Sequence, residues 1–236
     1  MNRPLLIRPW LVVIFALLAG GCNLFSKDKN KTKKLAVLSA APYAGLTDSI
    51  KRFPNEPTLY LQRAVLLSQN NLHEVATDDY KKAWEMTGDE NVALEYASNL
   101  LLIDDIDEAV DLLQEGSEKF ADNTEFSRRL GEIYIQTGEA SKALEQYESI
   151  LHRDSSNFEA WYDKGMLLAQ MKDTTAAINA LQHSFSIMPI CYSGLALANM
   201  YVYTKDARAL EVCDILLERD SSAQQTDAMF IKGIYY

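Results

Sequence analysis

The sequence has few of the residues that build metal, redox or catalytic centres. Its 236 residues include three cysteines and three histidines, and no histidine lies four residues from another histidine or a cysteine. The chain also lacks zinc-ligand spacing, a glycine-rich phosphate loop and a G-x-S-x-G segment around a nucleophilic serine. We therefore expect no metal, no cofactor and no catalytic residue, and we predict that the protein is not an enzyme.

An excess of positive charge is missing as well, except near the N-terminus. The formal net charge is −10; residues 1–21 contribute +2 and residues 22–34 contribute +4, which leaves −16 for residues 35–236. Binding of nucleic acid depends on Lys and Arg that neutralise phosphates, so this balance argues against nucleic-acid partners. The simplest interpretation of the acidic residues is a set of solvated outer faces.

No apolar run is long enough to cross a membrane as a helix. The run Trp10–Ala19 has ten residues, whereas about 20 are needed to span the hydrocarbon core. Arg3 and Arg8 precede it and small residues follow it. This arrangement is typical of a cleaved secretory signal, which we predict over residues 1–21.

The segment Leu18-Ala19-Gly20-Gly21-Cys22 resembles the lipobox of bacterial lipoproteins. The resemblance implies that Cys22 is acylated, becomes the mature N-terminus and attaches the chain to a membrane, since two or more acyl chains give stable anchoring. The alternative is an ordinary signal peptide with an incidental cysteine.

Residues 22–34 contain five lysines and little to bury, which predicts a flexible basic tether. Asn23 is not the aspartate that retains lipoproteins in the inner membrane of enteric bacteria, so the resemblance implies the outer membrane. Ser26-Lys27-Asp28 is similar to the surface-export signals of Bacteroidetes lipoproteins. Periplasmic and surface orientations both stay open, and we favour the periplasmic face.

A period of about 34 residues runs through the rest of the chain. Apolar residues at helical spacing indicate two short amphipathic helices in each unit. Small residues recur where two antiparallel helices would approach closely. One series is Ala64, Ala97, Gly131, Gly165, Ala198 and Gly233, and the other is Ala76, Ala109, Ala143, Ala177 and Ala209.

These units resemble the tetratricopeptide repeat, whose pattern has a 34-residue period. Leu130-Gly131, Tyr134, Ala143, Tyr147, Trp161 and Pro189 carry the match. The resemblance implies an all-α fold, a right-handed superhelical solenoid of helix pairs. We predict a capping half repeat over 35–56 and a solenoid over 57–236, with repeats at 57–90, 91–123, 124–157, 158–190 and 191–223 and a partial repeat at 224–236. A helical bundle with coincidental spacing is the alternative.

The partial repeat has an unusually apolar composition for the end of a solenoid. Met229, Phe230, Ile231, Ile234, Tyr235 and Tyr236 would be partly exposed there. Three explanations are open: the chain continues into further repeats, a partner or second copy covers this helix, or the helix folds back onto the fifth unit. We favour the first.

Two cysteines, Cys191 and Cys213, lie in the fifth unit. Helix geometry separates their Cα atoms by about 10 Å, too far for a disulfide. We therefore predict two buried thiols.

The resemblance to the tetratricopeptide repeat implies a concave groove that is lined by the first helix of each pair and binds extended peptides or partner helices. Tyr162, Met166 and Tyr203 are the natural contact residues, because aromatic and Met side chains are enriched at interfaces. Packing of half or more of the groove residues against neighbouring helices is the alternative. Counting along the first helices predicts eleven residues that line the groove: Leu61, Val65, Leu94, Ser98, Arg128, Glu132, Tyr162, Met166, Leu195, Asn199 and Tyr203.

Together, the two resemblances imply a tetratricopeptide-repeat lipoprotein of a Gram-negative, Bacteroidetes-like bacterium. We hypothesise a membrane-anchored scaffold or adaptor that mediates protein–protein interaction at the outer membrane, in assembly, secretion or an envelope complex. The alternative is a nutrient- or glycan-binding surface lipoprotein, although short connections between helices leave no room for binding loops.

Substitution of the predicted lipidation site tests the anchor. Cys22→Ser removes the sulfur that would carry the acyl group, so the protein should move from the membrane fraction to the soluble fraction. Fractionation followed by immunoblotting measures this shift. A variant that stays in the membrane fraction would show that the lipobox interpretation is wrong.

Overall fold

A computed structural model describes residues 32–219 and 226–236, which form helices joined by short turns and contain no β-strand. The predicted all-α class is therefore confirmed. The helices are, in chain order, residues 32–38 (the described part of α1), Ala44–Arg52 (α2), Pro57–Gln69 (α3), His73–Thr87 (α4), Glu90–Leu102 (α5), Ile106–Lys119 (α6), Glu125–Gln136 (α7), Ala140–Arg153 (α8), Phe158–Gln170 (α9), Thr174–Ile187 (α10), Cys191–Tyr203 (α11), Arg208–Arg219 (α12) and Thr226–Tyr235 (α13).

The chain divides into two compact units, Met1–Ile106 and Asp107–Tyr236. The predicted signal peptide, Cys22 and most of the predicted tether lie outside the described residues. Within the described ranges, no helix has both the length and the apolar character needed to cross a membrane.

In the first unit, α2 packs on α3, α3 on α4, and α4 on α5. Pro57 occupies the first turn of α3, where its missing N–H needs no partner. The Asp89 side chain accepts hydrogen bonds from the backbone N–H groups at the start of α5, which is the usual N-cap role of aspartate. Ala64 and Ala76 are fully buried where α3 meets α4.

A buried ion pair connects the helices of this unit. The Arg63 guanidinium donates from Nε and Nη2 to the Asp79 carboxylate, at 2.6 and 2.7 Å. Its Nη1 donates to Thr47 Oγ1 at 2.9 Å, and the Thr47 hydroxyl donates to the Leu38 carbonyl at 2.7 Å. Buried charges are tolerated when they are paired and hydrogen-bonded. This network thus links α2 and the end of α1 to the α3–α4 pair.

In the second unit, α7 to α13 pack in sequence, each helix on the next. The paired helices approach closely at small residues. A Cβ atom on Gly131 would lie 2.8 Å from the Tyr147 ring, and one on Gly165 would lie 2.7 Å from Leu181 Cγ. Ala143 is fully buried. These positions therefore cannot accept a larger side chain without movement of the facing helix.

Five turns share one backbone geometry. In each, a residue with positive φ is followed by an N–H group that donates to a carbonyl five residues earlier, which closes the preceding helix. Only one of the five is glycine, so Lys205 adopts the same conformation as Gly138. In the Lys205 turn the closing hydrogen bond, from Asp206 N–H to the Tyr201 carbonyl, measures 2.8 Å. The positive-φ residues are Asn71, Asp104, Gly138, Lys172 and Lys205.

Similar sequence segments also make similar contacts. Arg153 and Arg219 each precede the residues Asp-Ser-Ser. Arg153 Nη1 donates to the Ala121 carbonyl at 2.6 Å, and Arg219 Nη1 donates to the Pro189 carbonyl at 3.2 Å. Each arginine thus binds the loop that precedes its own helix pair.

Two sequence-based expectations in this unit are wrong. Cys191 is exposed and Cys213 is buried, and both are free thiols; Cys191 is exposed because it is the first residue of α11. Ile231, expected to be partly exposed, is buried with Ala228 in the core formed by α10 to α13. Three other large residues of α13, Met229, Phe230 and Ile234, are exposed, and so is Tyr236, which follows the helix.

The close approach of α9 and α10 can be tested with a pair of glycine substitutions. Gly165→Ala should destabilise the protein by about 1–3 kcal/mol, because the added methyl group overpacks against Leu181. Gly233→Ala is the matched control, since a Cβ there meets no atom within 4 Å and alanine gains up to about 1 kcal/mol of helix propensity. Urea denaturation of both variants measures the difference. Equal stability of the two variants would contradict the packing.

Candidate functional site

The eleven predicted groove residues divide between the two units. Four lie in the first unit, on α3 and α5, and seven lie in the second, on α7, α9 and α11.

In the first unit, Val65 and Ser98 line a shallow cleft of about 400 Å³ together with Leu102. Leu61 and Leu94 are half-buried on the same helices. The polar floor of the cleft is satisfied internally. The Ser68 hydroxyl donates to Asn99 Oδ1 at 3.2 Å, and the Asn99 amide donates to the His73 carbonyl at 3.1 Å. This cleft therefore presents mostly apolar surface.

In the second unit, several residues form one mixed surface, which we call the aromatic–carboxylate patch. The Tyr162 and Tyr192 rings contact edge to face with centroids 4.7 Å apart. Met166 lies one helical turn after Tyr162 and is 38% exposed, and Tyr192 is 42% exposed. The patch comprises Arg128 and Glu132 on α7, Tyr162, Asp163 and Met166 on α9, and Tyr192 on α11.

The arginines of α7 are already engaged. Arg128 Nε lies 3.0 Å from Glu125 Oε2, and Arg129 Nε lies 2.7 Å from Glu125 Oε1. Burial raises the pKa of Glu125, but the hydrogen bonds from Arg129 and Arg128 outweigh burial and lower the pKa overall. The contact between Arg128 and Glu132 is longer, at 3.9 Å. Glu125 is thus neutralised, whereas Glu132 is only weakly paired.

Asp163 is the half-buried carboxylate of the patch. It accepts no hydrogen bond and forms no ion pair with any residue of the described ranges. Burial raises the pKa of Asp163 to about 6; the Arg128 charge opposes this rise, and the charges of Glu132, Glu159 and Glu125 add to it. Asp163 therefore carries a charge at neutral pH that the folded protein disfavours.

Tyr147 of α8 lies beneath this surface and is 2% exposed. Its hydroxyl would be 3.0 Å from a Cβ atom on Gly131, so the glycine makes room for it. Burial raises the pKa of the Tyr147 hydroxyl, and the charges of Asp163 and Glu132 raise it further. Gly131 directly precedes Glu132, so the hydroxyl lies against the part of α7 that carries this patch residue.

The remaining predicted residues of the second unit do not join the patch as a group. Leu195 packs against the core of α10 to α13, as Tyr162 partly does. Asn199 is exposed, and Tyr203 is 78% exposed. Tyr203 and Tyr192 lie at opposite ends of α11, about 16 Å apart along its axis.

Counting along helices missed Tyr192, Asp163 and Tyr147. Tyr192 stands three residues before Leu195, so extending the count by one turn would have found it. Asp163 and Tyr147 gain their roles from the packing of three helices. No local signal marks them.

Comparison with known families and structures supports the helical repeat fold. Tetratricopeptide repeat families match residues 100–154 and residues 134–183. Together these matches cover residues 100–183. The helix pairs in this range match the tetratricopeptide repeat pattern, and the predicted helical repeat fold is confirmed. No curated protein sequence matches the chain.

Several solved structures resemble this one. YrrB, a TPR protein with an unusual peptide-binding site, is 20% identical, with 80% of this chain and 97% of YrrB covered and a TM-score of 0.56. MamA from Desulfovibrio magneticus RS-1 is 18% identical, with 72% and 97% covered and a TM-score of 0.57. A TPR protein from Parabacteroides merdae is 15% identical, with 75% and 74% covered and a TM-score of 0.57. At these identities the likeness shows the fold alone.

The unpaired Asp163 carboxylate predicts a pH-dependent cost to stability. Its pKa is higher in the folded than in the unfolded chain, so stability should fall as the pH rises from about 4 to about 6 and then stay level. Asp163→Asn removes this cost, by about 1 kcal/mol at pH 7.5 after a discount for solvent screening. Thermal unfolding at pH 7.5 and pH 4.5 should therefore show a gain at the higher pH that shrinks at the lower one.

Asp111→Asn is the matched control, because Asp111 is an exposed carboxylate on α6. It should change the melting temperature little at either pH. The groups whose charges act on Asp163 are Arg128, Glu125, Glu132 and Glu159. A loss of stability in Asp163→Asn at pH 7.5 would contradict the assignment of Asp163 as unpaired.

Proposed function

We propose that the protein is a TPR scaffold that binds protein partners and is held at the outer membrane by an acylated Cys22, with its repeats on the periplasmic face. The observation that carries the binding role is the aromatic–carboxylate patch. Tyr192 and Met166 are exposed on adjacent first helices of the repeats. Aromatic and Met side chains in this arrangement are typical of protein interfaces.

The TPR fold supports protein partners, and the peptide-binding site named for YrrB is in line with this role. Within residues 32–219 and 226–236, no three His, Cys, Asp or Glu residues are grouped so that they would hold a metal ion. The function proposed is recognition of a partner. Assembly, secretion and envelope complexes are the processes that such a lipoprotein would serve.

A photo-crosslinking amino acid at position 166 tests this proposal in intact cells that produce the full chain. Met166 lies on the patch, so the crosslinker there should capture a discrete protein partner. Position 171 is the matched control, because Met171 is 45% exposed but lies in the turn after α9. Immunoblotting and mass spectrometry identify the products. Equal capture at both positions, or capture at neither, would contradict a binding role for this face.

A further inference from the structure

The patch contains two polar groups that have no partner in the protein, and they indicate what the partner presents. The first is the half-buried Asp163 carboxylate. The second is the Tyr147 hydroxyl, which makes no hydrogen bond to any described residue. Buried polar groups are usually paired. Two unpaired groups on one surface therefore indicate a ligand that supplies hydrogen-bond donors.

The Tyr147 hydroxyl is not fully enclosed. Among the described side chains, only the Ser184 hydroxyl is both fully enclosed and unpaired, so the Tyr147 hydroxyl meets solvent although the residue is almost fully buried. The charges of Asp163, Glu132 and Arg128 all act on it. The hydroxyl lies against Gly131 of α7, which directly precedes the patch residue Glu132.

The charge of this region is complementary to a cation. Besides the Asp163 carboxylate itself, three carboxylates raise the pKa of Asp163 by their charge, those of Glu132, Glu159 and Glu125. Arg128 and Arg129 both bind Glu125, so these four carboxylates and two guanidinium groups carry a net charge of −2. An organic cation is favoured over a metal ion, because no metal-binding group of three ligands occurs in the part of the chain that is described.

The two tyrosines give the cation site an aromatic wall. Tyr162 and Tyr192 form an edge-to-face pair. Tyr192 is exposed and contacts the residue that directly precedes Asp163. Aromatic rings bind the apolar stems of lysine and arginine and attract their charged heads. Met166 lies one turn further along α9, where it can contact an apolar neighbour of the cationic residue.

Resting on the proposed protein-binding function, we infer that the patch binds a lysine or arginine side chain within an otherwise apolar segment of the partner. The cationic head donates hydrogen bonds to the Asp163 carboxylate and the Tyr147 hydroxyl. Its stem lies against Tyr162 and Tyr192, and an adjacent apolar residue contacts Met166. The partner thus supplies the charge that Asp163 lacks.

Pools of fluorescein-labelled decapeptides test the inference with the full-length protein. Each pool has random Leu, Phe, Ser and Gly and one central position fixed as Lys, Arg, norleucine or Glu. Fluorescence polarisation at pH 7.5 should show the Lys or Arg pool binding roughly tenfold more tightly than the norleucine pool, since a charge-assisted hydrogen bond contributes this much. Norleucine keeps the stem of lysine and removes its charge.

Three variants of this chain test whether the preference for the Lys or Arg pool depends on the patch. Asp163→Asn should abolish the tenfold difference, and Asp111→Asn, with the same change of charge on α6, should keep it. Tyr147→Phe should reduce the difference roughly threefold, because the lost hydroxyl accepts one hydrogen bond from the cation. A purely structural role for Tyr147 would leave binding unchanged, since its hydroxyl bonds to no described residue.

The outcomes separate this inference from the proposed function. Equal binding of all pools, a preference for the Glu pool, or a cation preference that survives Asp163→Asn would each overturn the inference, while peptide binding itself would still support a scaffold. No binding of any pool, together with capture of a protein at position 166, would overturn the inference alone. No binding and no capture would overturn both.

Discussion

Close contact between the two helices of each pair is the constraint on which the rest of the structure depends. A short amphipathic helix is marginal by itself and is stabilised by burying its apolar face against a neighbour. Gly131 and Gly165 allow this because the facing Tyr147 and Leu181 occupy the space that a side chain would need. The same contact also matters for the patch, because it holds the Tyr147 hydroxyl against Gly131, next to the patch residue Glu132. Packing and recognition therefore share a residue.

The two units treat buried charge in opposite ways. In the first unit, Arg63 and Asp79 satisfy each other and also engage Thr47, so the pair serves to connect helices. In the second unit, Asp163 is partly withdrawn from water without a counter-ion. A protein gains no stability from such a carboxylate, and perturbed groups of this kind cluster at functional sites. The contrast distinguishes a structural charge from one that is available to a partner.

The fold by itself says little about which partner is bound. Structures with 15–20% identity share it, because the repeat needs only small and apolar residues at fixed spacing. Function depends on the residues between those positions. In this chain the proposed lipid anchor at Cys22 and the patch of the second unit would combine location with recognition.

The 34-residue period determined the all-α class and the helix pairs, because helical spacing and the need for small residues at contacts are local properties that a sequence displays directly. Counting along α7 and α9 also predicted Arg128, Glu132, Tyr162 and Met166 as surface residues of the groove. Only the tertiary structure revealed Asp163, Tyr192 and Tyr147 as members of one surface, and it showed Cys191 exposed and Ile231 buried. The physical reason is that burial, pKa and unpaired hydrogen-bonding groups depend on neighbours from other helices, which no spacing within one helix records.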